Sequence, residues 1–303
     1  MQENAVSFPG KLLLFGEHVV VQGAQALAVP LPVFHGCWDF SAPSALEGAS
    51  ILMGWADYLE EKQISDLLGC RLDLARFRKD LEAGINFNSN IPQGYGAGSS
   101  GALCAALYAR YAVSPIPRDA ESAYPELKSI LGNIESFFHG KSSGADPLVS
   151  YVNEPLLFDH GGAIRKVSLG GANGHLFLLD TGKARQTAAL VQEFQRLCAN
   201  TSYLSNVLAE LVPATEEAIQ CLVSGDLGEL YEAFHGISYF QYRYMQEFIL
   251  PSWREIWLEA LSEEAHVLKL CGAGGGGFVL GLSRDVEVTK QRYSRLKPIF
   301  LPF

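Results

Sequence analysis

Apolar residues fall at helical spacing over several long stretches of the chain, and elsewhere gather in short runs bounded by glycine. Residues 99–112 are almost all apolar, built on alanine, leucine and tyrosine, and predict a helix buried on most of its surface. Residues 126–139 predict a second helix, with Ile130, Ile134 and Phe137 on one face. More polar helical patterns cover 51–68 and 72–81. Strand-like runs cover 5–14, Val19-Val20-Val21 and 26–29, the last two separated by Gly23, with a weaker alternation over 85–90. The second half predicts a strand over 175–179, helices over 188–211, 213–240 and 252–261, and a strand–glycine–strand unit over 267–282. Gly161-Gly162 and Gly170-Gly171 bracket the best boundary between two halves. Strands alternate with helices in both, which predicts an α/β or α+β fold.

Composition narrows the function classes. The 303 residues carry 23 Lys and Arg against 33 Asp and Glu, a net charge of −10, so no basic patch is available for nucleic acid or an acidic membrane. With 48% hydrophobic residues a large core can form, yet no run reaches the roughly 20 apolar residues of a membrane span. The apolar stretch after Lys11 ends at Gly16 and Glu17, too soon for a secretory signal. A cytoplasmic protein with no nucleic-acid or membrane partner is expected. The six cysteines include no Cys-x-x-Cys pair and the seven histidines no i,i+4 pair, so neither a disulfide framework nor a dedicated metal cage is indicated.

Three segments carry candidate chemistry. In Pro92-Gln93-Gly94-Tyr95-Gly96-Ala97-Gly98-Ser99-Ser100-Gly101, glycines would let backbone N–H groups approach an anion at the start of an apolar helix. The plain alternative is a glycine-rich turn with Ser99 as the helix cap. Gly96 to Gly101 also spells the dinucleotide fingerprint, but follows a weak strand and a proline. Gly140-Lys141-Ser142 ends like a P-loop, but Glu135 stands where that motif needs glycine. The second segment joins Glu135 to Asp146 across His139-Gly140-Lys141-Ser142-Ser143-Gly144. Its plain reading makes Asp146 an N-cap with Pro147 at the first helical position. The third comprises Lys11, Glu17 and His18 near the start, and the run Gly274 to Gly277 near the end. That run reads either as a hairpin turn or as close backbone approach to a ligand or to the first glycine loop.

Taken together and in this order, the segments resemble the GHMP kinases. Pro9-Gly10-Lys11…Gly16-Glu17, the Pro92–Ser100 loop and Gly272-Ala273-Gly274-Gly275-Gly276-Gly277 match that family's three motifs across nearly the whole chain. Within the family the sequence is most similar to mevalonate kinases, in the stretch 11–23, in the spacing of Glu135 and Asp146, and around Asp180-Thr181-Gly182 and Thr187. The resemblance implies a two-domain α+β fold. Residues 1–168 would form an N-terminal domain of ribosomal-protein-S5 type, and residues 169–303 a C-terminal ferredoxin-like domain.

The resemblance also implies ATP-dependent phosphoryl transfer to a small-molecule hydroxyl, with mevalonate the expected acceptor. Pro92, Gly94, Tyr95, Gly96, Ala97, Gly98, Ser99 and Ser100 would bind ATP, and Ser100 and Glu135 would hold Mg²⁺. Asp146 would be the base and Lys11 its cationic partner; Glu17, His18, Thr187, Gly274 and Gly275 would line the acceptor site. The acceptor carboxylate needs a cation, for which Lys11, His18, Lys183 and Arg185 all stay open. Homodimer formation is left open too. Departures from the family pattern are Ala97 for leucine, Gly101 for alanine, Ala184 for proline, Phe278 for cysteine, a poor match over 234–244, and a chain shorter than the animal enzymes. Another acceptor (phosphomevalonate or a sugar) and a non-catalytic nucleotide-binding protein of this fold are the alternatives, with a nicotinamide dehydrogenase a remote third.

Overall fold

The computed structural model describes residues 6–40, 46–170, 172, 174–185 and 187–302, without the side chains of residues 46, 47, 187 and 188. The chain divides into two units, one of Met1–Leu12, Val29–Pro92 and Ala97–Glu154, the other of Leu13–Ala28, Gln93–Gly96 and Pro155–Phe303. Neither is a single stretch of sequence. Gly171, one of the boundary glycines, lies outside the described residues. Among the described residues no helix is long and apolar enough to cross a membrane.

In the first unit, β1 (Phe8–Phe15) enters from the N-terminus and β2 (Ala26–Asp39) lies beside it. Helices α1 (Leu46–Ile64) and α2 (Leu74–Glu82) follow, and then β3 (Asn86–Ser89), antiparallel to the end of β2 from Gly36↔Ser89 to Asp39↔Asn86. Helices α3 (Ser99–Tyr111), α4 (Tyr124–His139) and α5 (Ala145–Val152) complete it. As its composition predicts, α3 is a core helix: Ala102, Cys104 to Tyr108 and Tyr111 are buried, with α4 and α5 against it. Ile130 and Ile134 of α4 are buried while Phe137 is half-buried. Trp55 of α1 is wholly buried. Its ring packs against Phe77 and Phe138, and its indole N–H donates to the Ile134 carbonyl at 3.1 Å.

The second unit takes residues Ala26–Ala28 of β2, which pair antiparallel with β4 (Leu156–Phe158), itself antiparallel to β5 (Ile164–Lys166). A separate sheet begins with β6 (Leu176–Asp180). Helices α6 (Thr187–Cys198), α7 (Thr201–Asn206), α8 (Val212–Ser224), α9 (Leu227–Tyr244) and α10 (Arg254–Ser262) come next. Strands β7 (His266–Leu270) and β8 (Phe278–Ser283), helix α11 (Val286–Arg292) and β9 (Ile299–Phe300) close the chain. That sheet runs β7-β8-β6-β9 with every pairing antiparallel, so the fold is α+β. The poorly matching stretch 234–244 belongs to α9, where Phe234, Ile237, Ser238, Phe240 and Gln241 are buried and Tyr239 and Arg243 exposed. Gln241 accepts the Leu270 N–H at 2.8 Å and Ser238 accepts the Trp257 indole N–H at 3.0 Å.

The structure departs from the sequence pattern at Val19-Val20-Val21. Strand propensity is overridden there by a tight turn. Val20 N–H donates back to the Gly16 carbonyl and Gln22 N–H to that of Val19, closing a single helical turn that leaves Val20 and Val21 exposed. The helix read over 188–211 is broken after Cys198, where Asn200 caps α7 through the Tyr203 N–H.

Removing the buried indole leaves a large cavity and deletes its hydrogen bond to the Ile134 carbonyl. Trp55→Ala is expected to cost about 3–5 kcal/mol of stability, seen as a lower urea midpoint, while Trp55→Phe costs distinctly less.

Candidate active site

In the first unit three chain segments meet around one ion pair. Lys11, on β1, is 7% exposed, and its Nζ lies 2.9 Å from Asp146 Oδ1. The Lys11 backbone N–H donates to the Ala97 carbonyl at 2.8 Å, which ties β1 to the loop before α3. Two glycines make the meeting sterically feasible. A Cβ at Gly98, which sits at φ +76° as the N-cap of α3, would lie 2.8 Å from Lys11 Cγ. At Gly101 a Cβ would lie 2.9 Å from the Asp146 carbonyl carbon. Neither plain capping reading holds. Gly98 rather than Ser99 caps α3, and Gly144 rather than Asp146 caps α5. Asp146 sits in the first turn of α5, where the helix dipole favours an anion.

Beside this pair stands a second cluster. Ser100 Oγ, in the first turn of α3, lies 2.8 Å from Glu135 Oε1 and 2.9 Å from His139 Nε2. The Ser142 hydroxyl donates to the other Glu135 oxygen. Glu135 is 3% exposed, and burial, followed by the negative charge of Asp146, raises its pKa. Among the described residues no lysine or arginine pairs with it. A buried carboxylate held by hydroxyls alone, with lone pairs to spare, suits a hard divalent cation taking oxygen ligands.

The second unit holds the other candidates. Glu17 Oε1 is paired with Lys269 Nζ at 2.5 Å, and its Oε2 is buried without a hydrogen-bond partner. Burial raises the Glu17 pKa against the opposing pull of Lys269 and Arg185. His18 packs between the rings of Phe194 (5.1 Å) and Phe248 (5.6 Å). Burial, and then the Lys269 charge, push its pKa down to about 3, so its imidazole is neutral at pH 7. The turn carrying Gly94, Tyr95 and Gly96 is held by the Arg185 N–H, which donates to the Gly94 carbonyl at 2.9 Å. The Arg185 guanidinium covers Gly96 and donates from Nη1 to the Cys271 carbonyl at 2.5 Å, leaving its Nε buried and unpaired.

The glycine run joins antiparallel strands β7 and β8 and also makes the close approach. A Cβ at Gly277 would lie 2.9 Å from the Tyr95 carbonyl oxygen, and Gly275 N–H donates to the Phe248 carbonyl at 2.7 Å. Gly274 is buried beside Phe248. Pro92 closes the first unit's segment and is half-buried. Thr187 opens α6, but its side chain lies outside the described residues. Two residues were missed by sequence reasoning. Lys269 is a fully buried lysine in a strand whose five residues are all buried, and its place in that apolar run was the available signal. Ser142 sits in a loop and gave none.

Comparison with known proteins bears on the fold and the family likeness. Residues 63–154 match the family model described as the GHMP kinases N terminal domain. A mevalonate kinase of Pyrococcus horikoshii is 26% identical, the match covering 93% of this chain and 90% of that one. Among solved structures, L. major mevalonate kinase in complex with R-mevalonate superposes with a TM-score of 0.65 at 18% identity, covering 97% of this chain and 93% of the other. Streptococcus pneumoniae phosphomevalonate kinase, in complex with phosphomevalonate and AMPPNP, gives 0.67 at 16%, with 99% and 98% covered. At such identities the superpositions speak for the fold. The chain is thus similar to GHMP kinases, through the family model over residues 63–154 and through a mevalonate kinase relative aligned over most of its length.

The depressed His18 pKa has a measurable consequence. Between pH 6.5 and about 3 the unfolded chain holds a proton on this ring that the folded chain does not. Stability therefore falls as pH drops through that window, by up to about 1.4 kcal/mol per unit from this group. His18→Gln should lack that component in urea unfolding between pH 4 and 7. Parallel curves for the two proteins would mean that His18 titrates normally.

Proposed function

We propose that this GHMP kinase transfers the γ-phosphoryl group of ATP to the hydroxyl of mevalonate. The observation that carries the reading is the Lys11–Asp146 pair at 2.9 Å, next to the Ser100–Glu135 contact at the start of α3. Backbone N–H groups from Gly94 to Ser100, following Pro92, would bind the triphosphate, the helix N-terminus adding its partial positive charge. Asp146 accepts the proton of the acceptor hydroxyl as its oxygen bonds to the γ-phosphorus; the bond from that phosphorus to the β,γ-bridging oxygen breaks and ADP leaves. Lys11, paired with Asp146, would offset negative charge growing on the acceptor oxygen. Ser100 and Glu135 would hold Mg²⁺, which when bound neutralises phosphate charge.

Glu17, through its free Oε2, the neutral His18 and Thr187 would orient the acceptor, with Gly274 and Gly275 admitting it close to backbone. For the acceptor carboxylate, charge selects among the open cations. His18 is neutral at working pH, Lys11 is engaged by Asp146, and Lys183 is exposed. Arg185 keeps unused donors next to a buried, unpaired Nε, which favours it.

ADP release from MgATP should depend on mevalonate and not on galactose or phosphomevalonate. Asp146→Asn should lower kcat by roughly 10²–10⁴ with ATP affinity nearly unchanged; near-normal turnover would sink the assignment. Arg185→Gln should raise KM for mevalonate by about 10–100-fold, the worth of a hydrogen bond to a charged group, with KM for MgATP little changed. Turnover on phosphomevalonate alone would move the reading to that acceptor. ATP binding with no turnover on any acceptor would favour a non-catalytic role.

A further inference from the structure

Glu135 is held from two sides, and the proton accounting makes one of those sides a link. Gly144 N–H donates to Ser142 Oγ at 3.0 Å, so the Ser142 hydroxyl proton is free to go to Glu135 Oε2. Ser100 spends its own proton on Glu135 Oε1, which makes His139 Nε2 the donor to Ser100. Glu135 thus accepts two hydroxyl protons and keeps a lone pair on each oxygen. The Ser142 backbone is fastened in turn to α4, its N–H donating to Ser136 Oγ at 3.3 Å while Ser136 Oγ donates to the Gly132 carbonyl at 2.7 Å. Gly144 is the N-cap of α5, whose first turn carries Asp146. One hydroxyl therefore joins the carboxylate on α4 to the start of the helix that bears the candidate base.

We infer that Ser142 is a positioning residue for the divalent cation of this kinase, orienting the Glu135 carboxylate toward the metal and holding it in register with Asp146. The inference rests on the proposed metal role of Ser100 and Glu135. Groups that hydrogen-bond a ligating carboxylate fix its orientation, and losing one typically weakens metal binding by about 10–100-fold. Without Ser142 the buried Glu135 carboxylate would lose one of its two hydroxyl donors and the contact that ties it to the start of α5.

The test is Mn²⁺ titration of the full chain with ADP present, followed by electron paramagnetic resonance, on the wild type, Ser142→Ala and Ser142→Thr. Circular dichroism and an ADP titration without metal check that each variant is folded. Ser142→Ala should bind Mn²⁺ about 10–100-fold more weakly, and Ser142→Thr, which keeps the hydroxyl, should recover most of that loss. In turnover, Ser142→Ala should raise the Mg²⁺ concentration needed for half-maximal rate, with kcat at saturating Mg²⁺ falling less than the affinity does. A merely structural role would not be relieved by added metal. Equal Mn²⁺ affinity in wild type and Ser142→Ala, or an equal loss in both variants, overturns the inference and leaves the Ser100–Glu135 assignment standing. Failure of the wild type to bind Mn²⁺ overturns that assignment and the Ser142 role with it.

Discussion

The first unit is organised around a steric condition. A lysine on a strand and an aspartate on a helix have to come within hydrogen-bonding distance over the start of a third element. Lys11 and Asp146 do so at 2.9 Å, with Gly98 packed against the Lys11 side chain and Gly101 against the backbone at Asp146. At position 98, whose φ is +76°, an added Cβ would press on the Lys11 stem; at 101, where alanine is usual in the resembled family, the backbone at Asp146 would have to shift slightly to admit one. The ionised partners have unequal access to water, the lysine side chain being 9% exposed and the aspartate 37%. Lys11 is thus the costlier of the two to leave alone, because a buried charge without its partner keeps its full desolvation penalty.

Charge is handled differently in the second unit. There Glu17, Lys269 and Arg185 are gathered around a neutral histidine, and the cluster leaves Glu17 Oε2, His18 Nε2 and Arg185 Nε without partners. Native interiors rarely leave so many buried polar atoms unmatched in one place. A ligand with a hydroxyl and an anionic group would supply a donor to the carboxylate and an acceptor to the guanidinium. The Glu17–Lys269 pair is what lets Lys269 lie inside a buried strand, since either charge without its partner would be far more costly to bury.

How far this was legible in the sequence depends on the range of the interaction. Helix α3 follows from its composition to within a residue of its observed Ser99–Tyr111 span, because alanine-rich apolar periodicity is a local signal. Strand β2 was read only over its first few residues. Its 14 residues include Pro30 and Pro32, which argue against a strand by local rules and are tolerated here. Asp146 before Pro147 has the local look of a cap, and only resemblance to a family linked it with Lys11, 135 positions away. The contacts of Lys269 with Glu17 and of Ser142 with Glu135 depend on strand register and loop closure. No local pattern encodes either.

The departures from the family pattern become intelligible once backbone and side-chain roles are separated. Ala97 stands where leucine is usual, yet what the loop presents to Lys11 is the Ala97 carbonyl, which any residue supplies. Phe278 stands where cysteine is common. Its ring meets Tyr95 edge-on at 5.1 Å, so the larger side chain finds its packing on the glycine loop of its own unit. Ala184, where proline is common, precedes the Arg185 N–H that holds Gly94, and that bond does not depend on the residue before it. Substitutions are tolerated where the motif works through main-chain atoms. Other positions work through the side chain itself, as Lys11 and Asp146 do, or through its absence, as at Gly98, where a Cβ would lie 2.8 Å from Lys11 Cγ.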